Sequence, residues 1–314
     1  MTRYLFGIDL GGTTVKLGLF NTEGGLLDKW EIPTRTEDSG VYILPDIADS
    51  MDEALRRHRI DRGDLLGAGL GVPGAVRKGR LVERCVNLNG WGGFDVVEWF
   101  SGAGMCPVRV VNDANAAALG EMWQGGGKGC ANMVLVTLGT GVGGGVIVDG
   151  KLLTGVHGSG GEIGHIKVSA DVYGDCGCGK RGCLEQFASA TGIVHQAKRL
   201  LEREIVPSAL RGLEKLDAKA VMDCAKAGDA LALRVAGLFG DSLGRALAAV
   251  SCVCDPEVFV LGGGVSKAGE YIVELVRPAF RKYAFPAAES TCFALATLGN
   301  DAGIYGAARL MLDA

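Results

Sequence analysis

The sequence predicts an α/β fold made of two similarly organised halves with a cleft between them. Three observations indicate it: apolar strands alternate with amphipathic helices, a strand–glycine loop–strand unit occurs twice, and 51 of the 314 residues are glycine. Alternating strands and helices are typical of α/β architecture. That glycine content is well above the usual share of about 7%. Because the glycines cluster between apolar runs, they indicate tight turns or backbone that lies close to a ligand.

The first half is predicted as three strands, a helix and two further strands, followed by a second helix. Apolar runs that end at turn residues predict strands at 4–9, 15–20, 26–32, 65–70 and 108–111. Apolar residues at helical spacing predict an amphipathic helix over about 43–59. The run Ala114–Trp123 predicts the second helix.

The second half repeats the opening of the first. Leu138-Gly139-Thr140-Gly141 separates two apolar strands, as Leu10-Gly11-Gly12-Thr13 does near the N-terminus. The remaining pattern predicts further strands at 258–261 and 293–297, and helices at 186–204, 217–227, 229–252, 268–282 and 302–312. Two halves built alike would have a natural cleft between them.

Composition and charge exclude several classes of protein. The net charge is −4, the isoelectric point is near 5.7 and the basic residues are scattered, which argues against a nucleic-acid partner. Asp9 and Gly11 interrupt the stretch that a signal peptide would need. The segment Cys130–Val148 has no charge but contains five glycines, so two strands fit it better than a membrane span. We therefore expect a cytoplasmic protein with reduced or metal-bound cysteines and no membrane partner.

Two glycine motifs nearly match known nucleotide loops. Gly139-x-Gly141-x-x-Gly144 fits the dinucleotide fingerprint, but a strand follows it where a helix is required. Gly174-x-x-x-x-Gly179-Lys180 resembles a P-loop, but Arg181 replaces the Ser or Thr that would bind magnesium. What remains is a pair of glycine–threonine hairpin tips, which are either anion-binding turns or ordinary turns.

His165, Cys176, Cys178 and Cys183 form the strongest local signal for a metal site. Three thiolates and one imidazole suit tetrahedral structural zinc. Disulfide pairing is the alternative, which a reducing compartment disfavours. The other cysteines lie in or near apolar runs, and we interpret them as buried packing residues: Cys85, Cys106, Cys130, Cys224, Cys252, Cys254 and Cys292.

Three segments carry a resemblance to a known family: Gly7-Ile8-Asp9-Leu10-Gly11-Gly12-Thr13, Leu138-Gly139-Thr140-Gly141 and Leu261-Gly262-Gly263-Gly264. They resemble the two phosphate loops and the adenosine segment of the actin/hexokinase superfamily. Within it the chain resembles, nearly end to end, the ROK family (repressors, open reading frames, kinases), most closely its bacterial glucokinases. This implies two ribonuclease-H-like (actin-like ATPase) domains with a nucleotide and sugar cleft between them.

The resemblance also assigns the nucleotide contacts and the domains. Asp9 would reach the magnesium of Mg²⁺–ATP, and the phosphates and adenosine would be flanked by Gly11, Gly12, Thr13, Thr14, Thr140, Gly141, Gly263 and Gly264. We expect an N-terminal domain of residues 1–118 plus 300–314 and a C-terminal domain of residues 119–299.

Asp113 is the candidate catalytic base. Phosphoryl transfer to a sugar hydroxyl needs a group that accepts the hydroxyl proton, and Asp113 follows a buried strand and opens a helix. The alternative is that Asp113 only caps that helix. Asn112-Asp113-Ala114-Asn115 resembles the catalytic-base segment of the family, which favours the base and gives Asn112 a sugar contact.

Further sugar-binding residues are implied by the same resemblance. Glu162, His165 and Glu185 flank the cysteine motif, and Gly74 and Asn87 lie in loops that follow strands. The alternatives are surface glutamates and ordinary turns. Many family members have proline where Asn89 stands, so the loop shape there is expected to differ.

The resemblance implies ATP-dependent phosphorylation of a hexose at O6, with glucose as the first candidate. An N-acetylmannosamine, N-acetylglucosamine or fructose kinase would share nearly all these residues. A sugar-responsive transcription factor of the family would need a DNA-binding extension, for which we expect no room before the strand at Tyr4. The family suggests a homodimer or homotetramer.

Overall fold

Two five-stranded sheets with the same plan form the framework of the computed structural model, which describes residues 3–85, 88–170 and 174–313. In the first sheet the order is β3-β2-β1-β4-β8; in the second it is β11-β10-β9-β12-β13. The strands of the first sheet are β1 Tyr4–Leu10, β2 Thr14–Asn21, β3 Leu26–Pro33, β4 Leu65–Val72 and β8 Val108–Asn112. Those of the second are β9 Met133–Leu138, β10 Val142–Val148, β11 Lys151–Leu152, β12 Val258–Gly262 and β13 Cys292–Leu295.

The strand directions confirm the predicted repeat. In each sheet the first three strands along the chain form an antiparallel meander, and the last two run parallel to the first. Each glycine–threonine turn therefore joins the first two strands of its own sheet. A small sheet of β5 Val76–Arg77, β6 Leu81–Val82 and β7 Phe94–Asp95 was not predicted, because two-residue strands leave no periodic signal.

The helices agree with the predictions except at three places. They are α1 Ile43–His58, α2 Val96–Gly102, α3 Asp113–Gln124, α4 Glu185–Ala188, α5 Ala190–Arg203, α6 Ala218–Lys226, α7 Ala230–Cys254, α8 Glu270–Tyr283 and α9 Ala302–Leu310. The prediction of one helix over 186–204 is wrong, because Ser189 is extended and its hydroxyl accepts from the amide of Gly192 to begin a new helix. Helix α2 was missed, and the last helix ends as a 3₁₀ turn at Met311–Asp313.

Two apolar cores correspond to the two sheets. Helix α1 covers the first sheet with Ile43, Ile47 and Met51, which recur at helical spacing and are fully buried. The second core is centred on α7. By length and composition α7 could span a membrane, with a mean hydropathy of 1.2, but 56% of that window is buried inside the protein. A helix buried to this extent is typical of a protein core.

Helices α3 and α9 pack against each other between the two sheets. A side chain at Gly120 or Gly306 would overlap the backbone of the partner helix, so both glycines permit the close approach. Helix α9 lies on β1 and β4, whereas α3 contacts β9 and β10 of the second sheet. The predicted domain boundary at residue 118 falls inside α3, which runs without interruption from one sheet to the other.

Candidate active site

A cavity of about 490 Å³ lies between the two sheets and gathers residues from distant parts of the chain. Five of the predicted site residues line it: Asp9, Asp113, Gly141, Glu185 and Gly263. Asp9 lies near the end of β1 and Asp113 at the start of α3, whereas the other three come from the second sheet and the segments around it. Acidic side chains from both sides therefore face one space.

The two glycine–threonine turns sit at equivalent hairpins, β1–β2 in the first sheet and β9–β10 in the second. The amide of Gly11 donates to the carbonyl of Thr14 at 3.0 Å, and the amide of Gly139 donates to that of Gly141 at the same distance. The hydroxyl of Thr34 donates to the carbonyl of Gly11 at 2.8 Å and fixes the first turn to β3. Of the two turns, only the second contributes residues to the cavity wall. The predicted phosphate-contact residues that do not line the cavity are Gly11, Gly12, Thr13, Thr14 and Thr140.

Asp9 is a buried carboxylate in a mixed electrostatic environment. Burial raises its pKa to about 6, the charge of Lys16 lowers it, and the charge of Asp113 raises it. Lys16 stands directly opposite Asp9 in the β1–β2 register. A side chain at Gly303 would lie 2.7 Å from the Asp9 carboxyl carbon, so the start of α9 packs directly on this carboxylate.

Asn112, and not Asp113, caps helix α3. Its Oδ1 accepts from the amides of Ala114 at 3.0 Å and Asn115 at 3.3 Å, and its Nδ2 donates to the carbonyl of Gly74 at 3.3 Å. The alternative in which Asp113 serves as the cap is therefore wrong. Asp113 is the first helical residue, and its Oδ1 accepts from the amide of Ala114 at 2.8 Å.

The surroundings of Asp113 raise the pKa of its carboxyl group, which suits a residue that accepts a proton. Burial raises the pKa of this carboxyl group, hydrogen bonds from the Ala114 amide and from Asn112 lower it, and the charge of Glu162 raises it. The net direction is upward. A general base works best when its pKa approaches the working pH.

The predicted metal ligands come together as a compact cluster. Ligand atoms of His165, Cys176, Cys178 and Cys183 all lie within 4.8 Å of one another. The Cys178 and Cys183 sulfurs are 3.7 Å apart, and the Cys176 sulfur lies 3.6 Å from His165 Nδ1. Zinc–sulfur bonds of about 2.3 Å in a tetrahedron place sulfurs roughly 3.8 Å apart. The cluster therefore fits one tetrahedral ion.

Glu162 and Glu185 lie beside this cluster, and Glu185 also lines the cavity. His165 Nε2 lies 3.8 Å from a Glu162 oxygen, and His165 Nδ1 lies 4.0 Å from Glu185 Oε1. The Cys176 thiol donates to the same Glu185 oxygen at 2.8 Å. Since Glu185 lines the cavity, the order of the cysteine loop fixes a side chain of the cavity wall.

Gly74 lies next to Asn112, whose Nδ2 donates to its carbonyl. A side chain at Gly74 would come within 2.6 Å of the buried Cys85 sulfur. Asn89 has a φ of 52°, which proline cannot adopt, so the turn differs in shape from one that contains proline at this position. Asn87, predicted to contact the sugar, lies outside the described residues.

A second cavity of about 330 Å³ adjoins the first at the end of β12. Gly264 lines it, next to Gly263 of the larger cavity. Ala218, Met222 and Val265 form its apolar part; the charged residues that also line it are Asp217, Lys219, Asp223, Lys226 and Lys267. The two cavities meet at Gly263 and Gly264, and the smaller one offers an apolar patch beside charged side chains.

Several residues of the site were not found from the sequence. Lys16, Asn300 and Gly303 line the larger cavity. The register of the predicted β1–β2 hairpin would have placed Lys16 opposite Asp9. The run of glycine and polar residues just before α9 could have indicated that this segment lies at the site. The interpretation of the remaining cysteines as buried is confirmed for Cys85 and is wrong for Cys252 and Cys292, which are exposed. The half-buried ones are Cys106, Cys130, Cys224 and Cys254.

Comparison with known proteins places this architecture in a family. The ROK family model matches residues 5–314. The glucokinase of Halalkalibacterium halodurans is 44% identical over 97% of this chain and 93% of its own. The N-acetyl-D-glucosamine kinase of Mannheimia succiniciproducens is 30% identical over 98% and 99%. The crystal structure of a ROK family glucokinase from Streptomyces griseus with glucose and AMPPNP is 32% identical, covers 100% of both chains and has a TM-score of 0.74.

Proposed function

The chain belongs to the ROK family, and from that premise we propose that it is an ATP-dependent hexose kinase that converts glucose to glucose 6-phosphate. The observation that carries the proposal is the placement of Asp113, Asp9 and Glu185 around one cavity whose wall includes the second glycine–threonine turn. This arrangement supplies a base, a carboxylate for a metal and a polar wall for a polyol. The glucokinase relatives favour glucose among hexoses.

The proposed chemistry divides the work between the two sides of the cavity. Asp113 accepts the proton of the sugar O6 while that oxygen bonds to the γ-phosphorus and the bond to the β–γ bridging oxygen of ATP breaks. Asn112 holds the start of α3 and the Gly74 carbonyl together, so the base is fixed relative to the sugar loop. Asp9 would hold Mg²⁺, which neutralises phosphate charge when bound; carboxylate oxygens are suitable ligands.

We place the nucleotide across both cavities, with its phosphates in the larger cavity and its adenine ring in the smaller one. Gly263 has a φ of 86°, and a side chain there would lie 2.6 Å from the Leu138 backbone. Gly263→Ala should therefore raise the KM for ATP about tenfold, because displaced backbone disturbs positioning. Steady-state kinetics at saturating hexose would measure this change.

Gly150→Ala is the matched control for this substitution. Gly150 has a φ of 71° in the turn between β10 and β11, with no atom within 4 Å of an added side chain, so alanine there meets an unfavourable backbone angle without the clash. We expect it to lower stability and to leave the KM for ATP unchanged. Equal effects of both variants on that KM would remove the assignment of Gly263 to the nucleotide.

The raised pKa of Asp9 predicts a dependence of magnesium use on pH. With a pKa of about 6, Asp9 is mostly ionised at neutral pH and becomes protonated as the pH falls. The Mg²⁺ concentration for half-maximal activity should therefore rise about tenfold between pH 7 and pH 5. Titration of Mg²⁺ at each pH, with hexose saturating, would measure it. A constant Mg²⁺ requirement over this range would argue against Asp9 as the ligand.

A substrate panel tests the proposed function itself. We expect the highest kcat/KM with glucose and ATP in a coupled assay that compares glucose, fructose, mannose, N-acetylmannosamine and N-acetylglucosamine. The second candidate is an N-acetylglucosamine kinase, which the Mannheimia succiniciproducens relative favours. A preference for that sugar would select the second candidate, and no phosphorylation of any sugar would refute both.

A further inference from the structure

Glu121 is a buried acidic side chain that the proposed chemistry does not use. It lies in the third turn of α3 with an exposed fraction of 0%. Among residues 3–85, 88–170 and 174–313, no lysine or arginine forms an ion pair with its carboxylate. Burying an unpaired charge is costly unless hydrogen bonds compensate it, so the contacts of this carboxylate require an explanation.

Three backbone amides satisfy the Glu121 carboxylate. Oε2 accepts from Gly126 at 2.7 Å and from Thr297 at 3.1 Å, and Oε1 accepts from Leu298 at 2.9 Å. The first bond closes the chain that follows α3. The other two reach a segment 176 and 177 residues away in the sequence. Closing the end of α3 would need only the first bond.

The segment that Glu121 holds leads directly to the magnesium side of the cavity. Ala296 still bonds to the second sheet, through the Leu261 carbonyl at 2.9 Å, whereas α9 packs on the first sheet. Between them the chain crosses from one sheet to the other. Asn300, whose carbonyl accepts from Lys16 Nζ at 3.2 Å, lines the cavity within this crossing.

We propose that Glu121 is a positioning residue for the nucleotide and its metal, acting through the crossing segment 297–303. Its carboxylate fixes the amides at the start of the segment, and the end of the segment, at Gly303, packs on Asp9. Hydrogen bonds to an ionised group are about twice as strong as neutral ones. Loss of the charge therefore loosens the cavity wall on the nucleotide side. This inference rests on the proposed kinase function.

Glu121→Gln tests the inference with the least change of shape. One oxygen becomes an amide nitrogen that faces backbone N–H groups, so at least one of the three bonds is lost. We expect the KM for ATP to rise about tenfold, below the roughly 100-fold that a 1 Å misplacement can cause. The KM for the hexose should change less than twofold. Equal changes in both KM values, or none in that for ATP, would overturn the inference.

Glu257→Gln is the matched control. Glu257 also accepts two backbone amides, from Ala131 and Asn132 at 2.8 Å, but it lies before β12, at the opposite end of that strand from Gly263. We expect no change in the KM for ATP. Calorimetric titration of both variants with Mg²⁺–AMPPNP measures nucleotide binding without turnover, so it separates failure of this inference from failure of the proposed hexose reaction.

Hydrogen exchange on the unaltered protein tests the inference if Glu121→Gln does not fold. The amides of Thr297 and Leu298 should exchange more slowly after Mg²⁺–AMPPNP is added, because the nucleotide orders the segment that follows them. The amides of Ala131 and Asn132 should not change. The same response at both pairs, or none at Thr297 and Leu298, would overturn the inference.

Discussion

Asp113→Asn should fold as the unaltered protein does and lose at least about 100-fold in kcat, the lower end for general-base catalysis. The amide keeps an oxygen that can accept from Ala114, and Asn112 continues to cap α3. What is lost is the ability to accept the proton of the sugar hydroxyl. Rapid-quench or coupled kinetics at saturating glucose and ATP would measure the loss, with thermal unfolding as the check on folding.

Asp229→Asn is the control for that substitution. Asp229 caps α7 through the amides of Leu231 and Ala232 and does not line the cavity. The same chemical change there should leave kcat unchanged. It should lower stability by about 1–3 kcal/mol, because asparagine can keep the cap but not also the bond that Asp229 Oδ2 accepts from the Ala209 amide. Near-normal turnover of a folded Asp113→Asn protein would remove Asp113 from the mechanism.

Cys178→Ser is expected to lower stability and activity together. We propose that zinc holds His165 and the three cysteines, and zinc binding is coupled to local folding. The loop also orders Glu185, which follows the ligand Cys183 by two residues and begins α4. Loss of the metal should therefore reduce kcat/KM for the hexose by roughly 10–100-fold, the range seen when the support of a metal site is removed. Metal analysis, thermal unfolding and hexose kinetics would measure the three effects.

Cys252→Ser provides the comparison. Cys252 is an exposed residue of α7 outside the ligand cluster, so its substitution should keep the zinc, the melting temperature and the hexose kinetics. Fully active protein that contains no zinc would refute the proposed metal role. Activity lost with zinc still bound would instead show that Cys178 acts through something other than the metal.

The sequence predicted the elements whose signal is local and strong. Strands β1, β2 and β9 are apolar runs bounded by glycine, and α1 keeps its apolar residues on one face. Helices α4 and α5 were merged because the cap at Ser189 competes with a continuous helical pattern. The strands β5 to β7 depend on pairing with one another, which a single short run does not reveal.

The residues of the site also divide into those that a local motif marks and those that no motif marks. Asp113 and the ligand cluster around Cys176 were marked by short motifs. Asp113 lines the cavity, and the ligand atoms of the cluster lie within 4.8 Å of one another. Lys16 and Glu121 carry no motif. The partner of Lys16 follows from the register of a local hairpin, whereas the role of Glu121 depends on an amide 176 residues away, which only tertiary contacts reveal.

The order of synthesis gives the last helix a particular importance. Leu5 and Phe20 of the first sheet are covered by Ile304 and Ala308 from α9, which are translated much later. Domains commonly fold while the nascent chain leaves the ribosome, the N-terminal part first. Here the first sheet cannot bury this face until α9, which lies beyond the whole second sheet in the chain, has been translated. A chain that stops before residue 302 would therefore leave apolar surface open to chaperones and to aggregation, even though every strand of that sheet is complete.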